Sequence, residues 1–120
     1  MKRDYRLFLQ DIFDACMYIQ EFVEGMDSDS FVLDEKTCSA VVQKFEVIGE
    51  ATKSIPQFVR EQYPHIPWKD MAGMRDRLIH GYFGIDYSLV WEAVKQDIPT
   101  LKFHVREILD DLGRKVQDEP

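Results

Sequence analysis

Residues 75–82 read Arg-Asp-Arg-Leu-Ile-His-Gly-Tyr, and this segment holds groups that can move a proton and grip an anion. His80 titrates near neutral pH and can act as general acid or base. Arg75 and Arg77 are permanent cations, and a guanidinium can hold two phosphate oxygens at once and stabilise charge that builds on them. Arginine with histidine is a metal-free kit for phosphodiester chemistry. Asp76 stands four residues before His80, on the same face if the segment is helical, where it could orient or charge-stabilise the imidazole. Arg75 stands five residues before His80, about 140° around a helix axis. One straight helix does not aim both at one small target. They converge if the Arg75 side chain folds across, if the helix distorts near Gly81, or if two copies of the segment meet in a dimer. A plainer reading also fits, because a basic last turn is favourable at any helix C-terminus.

Other chemistries lack their parts. His65, His80 and His104 are far apart in sequence, and there is no His-Glu-x-x-His, no Glu-x-x-His and no Cys/His pairing, so no metal site is expected. Neither a P-loop nor a Gly-x-Gly-x-x-Gly turn occurs, and no cofactor is expected. Cys16 and Cys38 both fall in apolar helical surroundings, which predicts buried free thiols.

The elements that must position Arg75 and His80 are helical throughout. Tyr5, Phe8, Leu9, Ile12, Cys16, Ile19 and Val23 recur at three- and four-residue steps, predicting a helix from about Asp4, as N-cap, to Glu24, with Gly25 as the stop. Ser28 or Ser30 is placed to cap a short turn through Phe31 to Leu33. A second long helix is predicted from about Asp34 to Ser54, with Val41, Phe45, Ile48 and Thr52 as its stripe and Gly49 as a close helix–helix contact. Pro56 starts a short helix, and Pro64 and Pro67 fence off a turn ahead of a buried Trp68. A third helix is predicted from Trp68 to His80, ended by Gly81 and Gly84. A fourth opens at Asp86 or Tyr87; Pro99 is expected to break or kink it, and residues 114–120 to fray. The sum is a single all-α domain over residues 1–120, an up-and-down bundle of two long helices plus two or three shorter ones.

Charge narrows the function classes. The net charge is −7 and the isoelectric point about 4.9, which argues against general coating of nucleic acid; no DNA binding is expected. Residues 53–82 nonetheless carry a balance of +2 while the remainder carries −9, so the middle third is the anion-facing region. No apolar run spans a membrane, and Asp11 and Asp14 interrupt the N-terminal apolar stretch, which speaks against a signal peptide. A cytoplasmic protein is expected.

The segment Arg75-Asp76-Arg77-Leu78-Ile79-His80-Gly81-Tyr82 fits the pattern Arg, four residues, His, any residue, Tyr, the signature of the HepT type within the HEPN superfamily. "VIGEATKSIP" at 47–56, "PHIPWKDMAGMRDRLIHGYFGID" at 64–86 and "VWEAVKQDIPTLK" at 90–102 agree, and the chain resembles HepT-like (DUF86) proteins over nearly its whole length, least in the first 35 residues. The resemblance implies a bundle that forms a homodimer with the motif helices facing across a cleft. It implies a metal-independent endoribonuclease toxin acting on RNA, and a small nucleotidyltransferase antitoxin of the MNT type that adds AMP to the motif tyrosine. Carried over, Arg75 and His80 are catalytic, Asp76 and Arg77 are supporting, and Tyr82 is the modification target. Asp76 departs from the asparagine common at its position, which keeps a group able to contact His80 and adds a negative charge beside the RNA phosphate. A different class also stands: a non-catalytic helical module that binds a partner nucleotidyltransferase.

Overall fold

A computed structural model describes residues 3–78 and 84–118. Seven helices occur among them: α1 (Tyr5–Phe22), α2 (Ser28–Leu33), α3 (Glu35–Lys53), α4 (Gln57–Gln62), α5 (Trp68–Ala72), α6 (Met74–Leu78) and α7 (Tyr87–Asp118). The architecture is the all-α bundle that the periodicity predicts, with three long helices rather than two.

Aspartates open the first three helices. Asp4 accepts from the Arg6 backbone N–H at 2.9 Å, and Asp34 accepts from that of Thr37 at 3.0 Å. Each satisfies a donor that a helix start leaves without a partner. At α2 the cap is Asp27, one residue before the predicted Ser28: Asp27 accepts from the Ser30 N–H at 2.8 Å, while Ser30 Oγ accepts from the Asp27 N–H at 3.0 Å. This reciprocal pair makes a true helix of the predicted turn. Gly25 ends the α1 segment at φ 78°, a left-handed conformation that a side chain would resist.

Leu9, Ile12, Cys16 and Ile19 of α1 bury against Val41, Phe45 and Ile48 of α3 and Ile98, Leu101, Val105 and Ile108 of α7. Thr52 is buried too, and its hydroxyl donates to the Ile48 carbonyl at 2.7 Å. Both cysteines are free and buried. Burial pushes the Cys16 thiol up to about 12 and raises that of Cys38, so neither is a reactive thiolate at neutral pH.

Two expectations are corrected. Pro99 does not break the last helix: α7 runs from Tyr87 to Asp118 as one element of 32 residues. Proline removes the hydrogen bond to the carbonyl four residues earlier, here that of Lys95. Both Lys95 and Pro99 are exposed, so water can take that carbonyl, while buried Ile98 and Leu101 hold the helix to the core. The predicted helix from Trp68 is instead two short ones, α5 and α6, meeting at Gly73. Gly73 donates to the Lys69 carbonyl at 3.0 Å and accepts from the Arg77 N–H at 3.1 Å, so the turns stay linked although the regular helix is interrupted. Ile79, His80, Gly81, Tyr82 and Phe83 lie outside the described residues.

Candidate active site

Gly49 sets the position of Arg75. It is buried in α3, and a Cβ built on it would lie 3.4 Å from the Ala72 carbonyl oxygen and 4.0 Å from the Arg75 Cβ. A methyl would fit there in ordinary contact and a larger side chain would not, so a small residue lets the α5–α6 junction rest close on α3, as the sequence reading expects. Buried Met71, Met74 and Leu78 anchor the two short helices on their inner side. Trp68, buried as predicted, ties the start of α5 by donating from Nε1 to the Tyr63 carbonyl at 3.0 Å.

On that seat Arg75 turns toward α3. Its Nε lies 3.5 Å from Glu46 Oε1 and its Nη1 lies 3.4 Å from Asp76 Oδ1. The guanidinium is therefore flanked by two carboxylates while its side chain stays 47% exposed. Pairs this open and this long contribute little, about 0–1 kcal/mol each, so they orient Arg75 without locking it. A phosphate could displace them.

Arg77 points elsewhere. Its Nη2 donates to the Asp70 carbonyl at 3.4 Å, and it lines a depression with Met71, Met74, Asp97 and His104 between the short helices and α7. The structure thus keeps Arg75 with Asp76 and turns Arg77 to another side, as the roughly 200° between positions 75 and 77 around a helix requires. His80 and Tyr82, and with them the Asp76–His80 and Arg75–His80 relations, lie outside the described residues.

Beside Arg75 an open groove of about 420 Å³ runs between α1 and α3, lined by Phe8, Asp11, Gln43, Glu46, Val47 and Glu50, among others. Three of those are carboxylates, each with a cation beside it: Asp11 with Arg3, Glu46 with Arg75 and Glu50 with Lys53. Glu50 lines the groove and lies 3.5 Å from Lys53.

Glu46 escaped the sequence reading. Its signal was its place one turn before Gly49 on α3, on the side where the second helix lands. Also missed was a grouping of His65, His104 and Glu107. The chain holds no Glu-x-x-His but the reverse order, His104-x-x-Glu107.

Residues 12–108 match the family model described as Ribonuclease HepT-like. The chain belongs to the HepT-like ribonuclease family. Among its relatives, the candidate RNase MJ0125 of Methanocaldococcus jannaschii is 48% identical over 95% of this chain and 98% of its own length. The candidate ribonuclease HepT of Thermococcus cleftensis is 47% identical over 85% of this chain and 93% of its own. A second M. jannaschii relative, candidate RNase MJ1216, is 47% identical over 95% and 94%. No solved structure matches the chain. No described helix is long and apolar enough to cross a membrane. Within this HepT-like chain, the described geometry gives Arg75 a defined seat at the head of the Arg-x4-His-x-Tyr segment.

Proposed function

We propose that this chain is a metal-independent endoribonuclease, the toxin of a toxin–antitoxin pair, whose site forms between two copies of the chain. The observation that carries the reading is Arg75, half-exposed and seated by Gly49 in a member of the HepT-like ribonuclease family. His80 takes the proton of a ribose 2′-hydroxyl, and the 2′-oxygen attacks the adjacent phosphorus. Arg75 stabilises the charge that collects on the non-bridging oxygens. The P–O5′ bond breaks, and the departing oxygen takes a proton from solvent water, whose hydroxide is neutralised by the proton His80 has taken. The products are a 2′,3′-cyclic phosphate and a free 5′-hydroxyl. Arginine supplies charge and histidine supplies proton transfer, so the step needs no divalent cation.

Silencing falls to a nucleotidyltransferase antitoxin. The Tyr82 hydroxyl attacks the α-phosphate of ATP, pyrophosphate leaves, and the AMP phosphodiester adds bulk and negative charge to the motif segment. The test is cleavage of cellular RNA in excess EDTA by unmodified wild type and by His80→Ala. Cleavage by wild type alone supports the reading, and equal cleavage by both sinks it.

One observation favours a second reading, the non-catalytic module that binds a nucleotidyltransferase: Arg75 already has Glu46 and Asp76 beside it. In that case unmodified wild type cleaves no RNA while still binding its partner.

A further inference from the structure

The fold brings together two histidines that are remote in sequence. His65 sits in the turn between α4 and α5, and His104 and Glu107 stand one turn apart on α7. His65 Nε2 lies 3.3 Å from Glu107 Oε1. The two imidazole rings meet edge to face with centroids 5.3 Å apart. One ligand atom from each of the three residues falls within 4.8 Å of the others. His104 Nδ1 is buried and has no hydrogen-bond partner among the described residues. Native structures seldom leave a buried ring nitrogen in that condition without a reason.

We propose that His65, His104 and Glu107 bind one divalent cation of the zinc class (Zn²⁺, Co²⁺ or Ni²⁺). Two imidazoles and a carboxylate are the donor set such borderline cations favour, whereas Mg²⁺ and Ca²⁺ select oxygen ligands. Around tetrahedral zinc at its usual bond lengths, ligand atoms lie about 3.4 Å apart. The 3.3 Å between His65 and Glu107 already matches that spacing. Their side chains are 52% and 38% exposed, so small rotations can close the third corner, and an open coordination position faces solvent.

The surroundings already fix the two halves of the site to each other. Tyr63 donates its hydroxyl to Asp111 Oδ2 at 2.8 Å, tying the start of the same turn to the same helix. A bound cation adds a second clamp between the 63–67 turn and α7. That turn leads straight into α5 and α6, so the clamp steadies the segment that presents Arg75. The cation takes no part in the cleavage proposed above, and the two readings stand or fall separately.

The test uses untagged full-length protein, stripped with EDTA and dialysed, then titrated with Co²⁺ and with Zn²⁺. Visible cobalt absorption and zinc counting by equilibrium dialysis are the readouts, with thermal melts of each metal-free variant to confirm folding. One ion per chain is expected. Affinity should fall at least about tenfold in His65→Ala and in Glu107→Gln, at or beyond the loss typical for removing a supporting residue at a metal site. His80→Ala should bind as wild type does, and Zn²⁺ should raise the melting temperature of wild type but not of His65→Ala. No ion bound at tenfold excess, or an ion bound equally by His65→Ala, overturns the proposal.

Discussion

Arg75 carries its charge between two carboxylates, at 3.5 Å from Glu46 and 3.4 Å from Asp76. Asp76 competes with an incoming phosphate for the same guanidinium. Asp76→Asn should therefore tighten binding of a non-cleavable RNA by about two- to fivefold at low salt, the scale of an exposed ion pair. The gain should shrink as salt rises. Filter binding across a salt series checks this, and weaker binding by Asp76→Asn would show that the carboxylate serves RNA recognition instead. The chemical capability of Arg75 and Asp76 was legible in the sequence because residue type and spacing carry it. Glu46 was not, since its role arises only where α6 lands on α3. The His65–His104–Glu107 grouping was hidden for the same reason: a turn and a helix far apart in the chain supply its parts.

Elements deliver these side chains, and the glycine contact is the decisive joint. Gly49→Ala places a methyl 3.4 Å from the Ala72 carbonyl oxygen, within ordinary contact, and regains up to about 1 kcal/mol of helix propensity; it should be close to neutral. Gly49→Leu overfills the joint, should cost about 1–3 kcal/mol in urea denaturation, and should displace α6 with a matching loss of activity. A stable and fully active Gly49→Leu would mean that α6 does not depend on this seat. The caps add a pH dependence. Side-chain and backbone hydrogen bonds from Arg6 lower the Asp4 carboxyl to about 2, and backbone donors lower Asp27 and Asp34. A folded-state value below the unfolded one stabilises above the ordinary carboxylate range and is lost as pH falls through the folded value. Stability should therefore drop between about pH 4 and about pH 2. The drop should be smaller in a triple Asp→Asn variant, which caps without titrating; an unchanged slope would remove the caps from the account. Helix periodicity and caps could be read from sequence because both are local. Pro99 and Gly73 misled in opposite directions. Core packing at Ile98 and Leu101 carries α7 through a proline, while a glycine passed over as helix interior marks the α5–α6 break.

At the scale of the whole molecule, net negative charge and RNA chemistry are reconciled by geography. The carboxylates gather along the α1–α3 groove and elsewhere, and the stretch 53–82 holds the net positive charge. In the proposed dimer that stretch from each copy faces a common cleft. Activity per chain should then fall on dilution through the dimer dissociation range, in step with the loss of dimer seen by light scattering; a monomer with full activity would contradict the shared site. The most direct test mixes two inactive variants in EDTA. Arg75→Ala and His80→Ala should each fail to cleave RNA as homodimers. Co-refolded together, they form mixed dimers in which one of the two Arg75–His80 pairs across the common cleft is intact. The mixture should regain cleavage, up to about a quarter of the wild-type rate if dimers form at random and the two pairs of a dimer act independently. Two variants that each cleave like wild type, or a verified mixed dimer that stays inactive, would contradict the shared site.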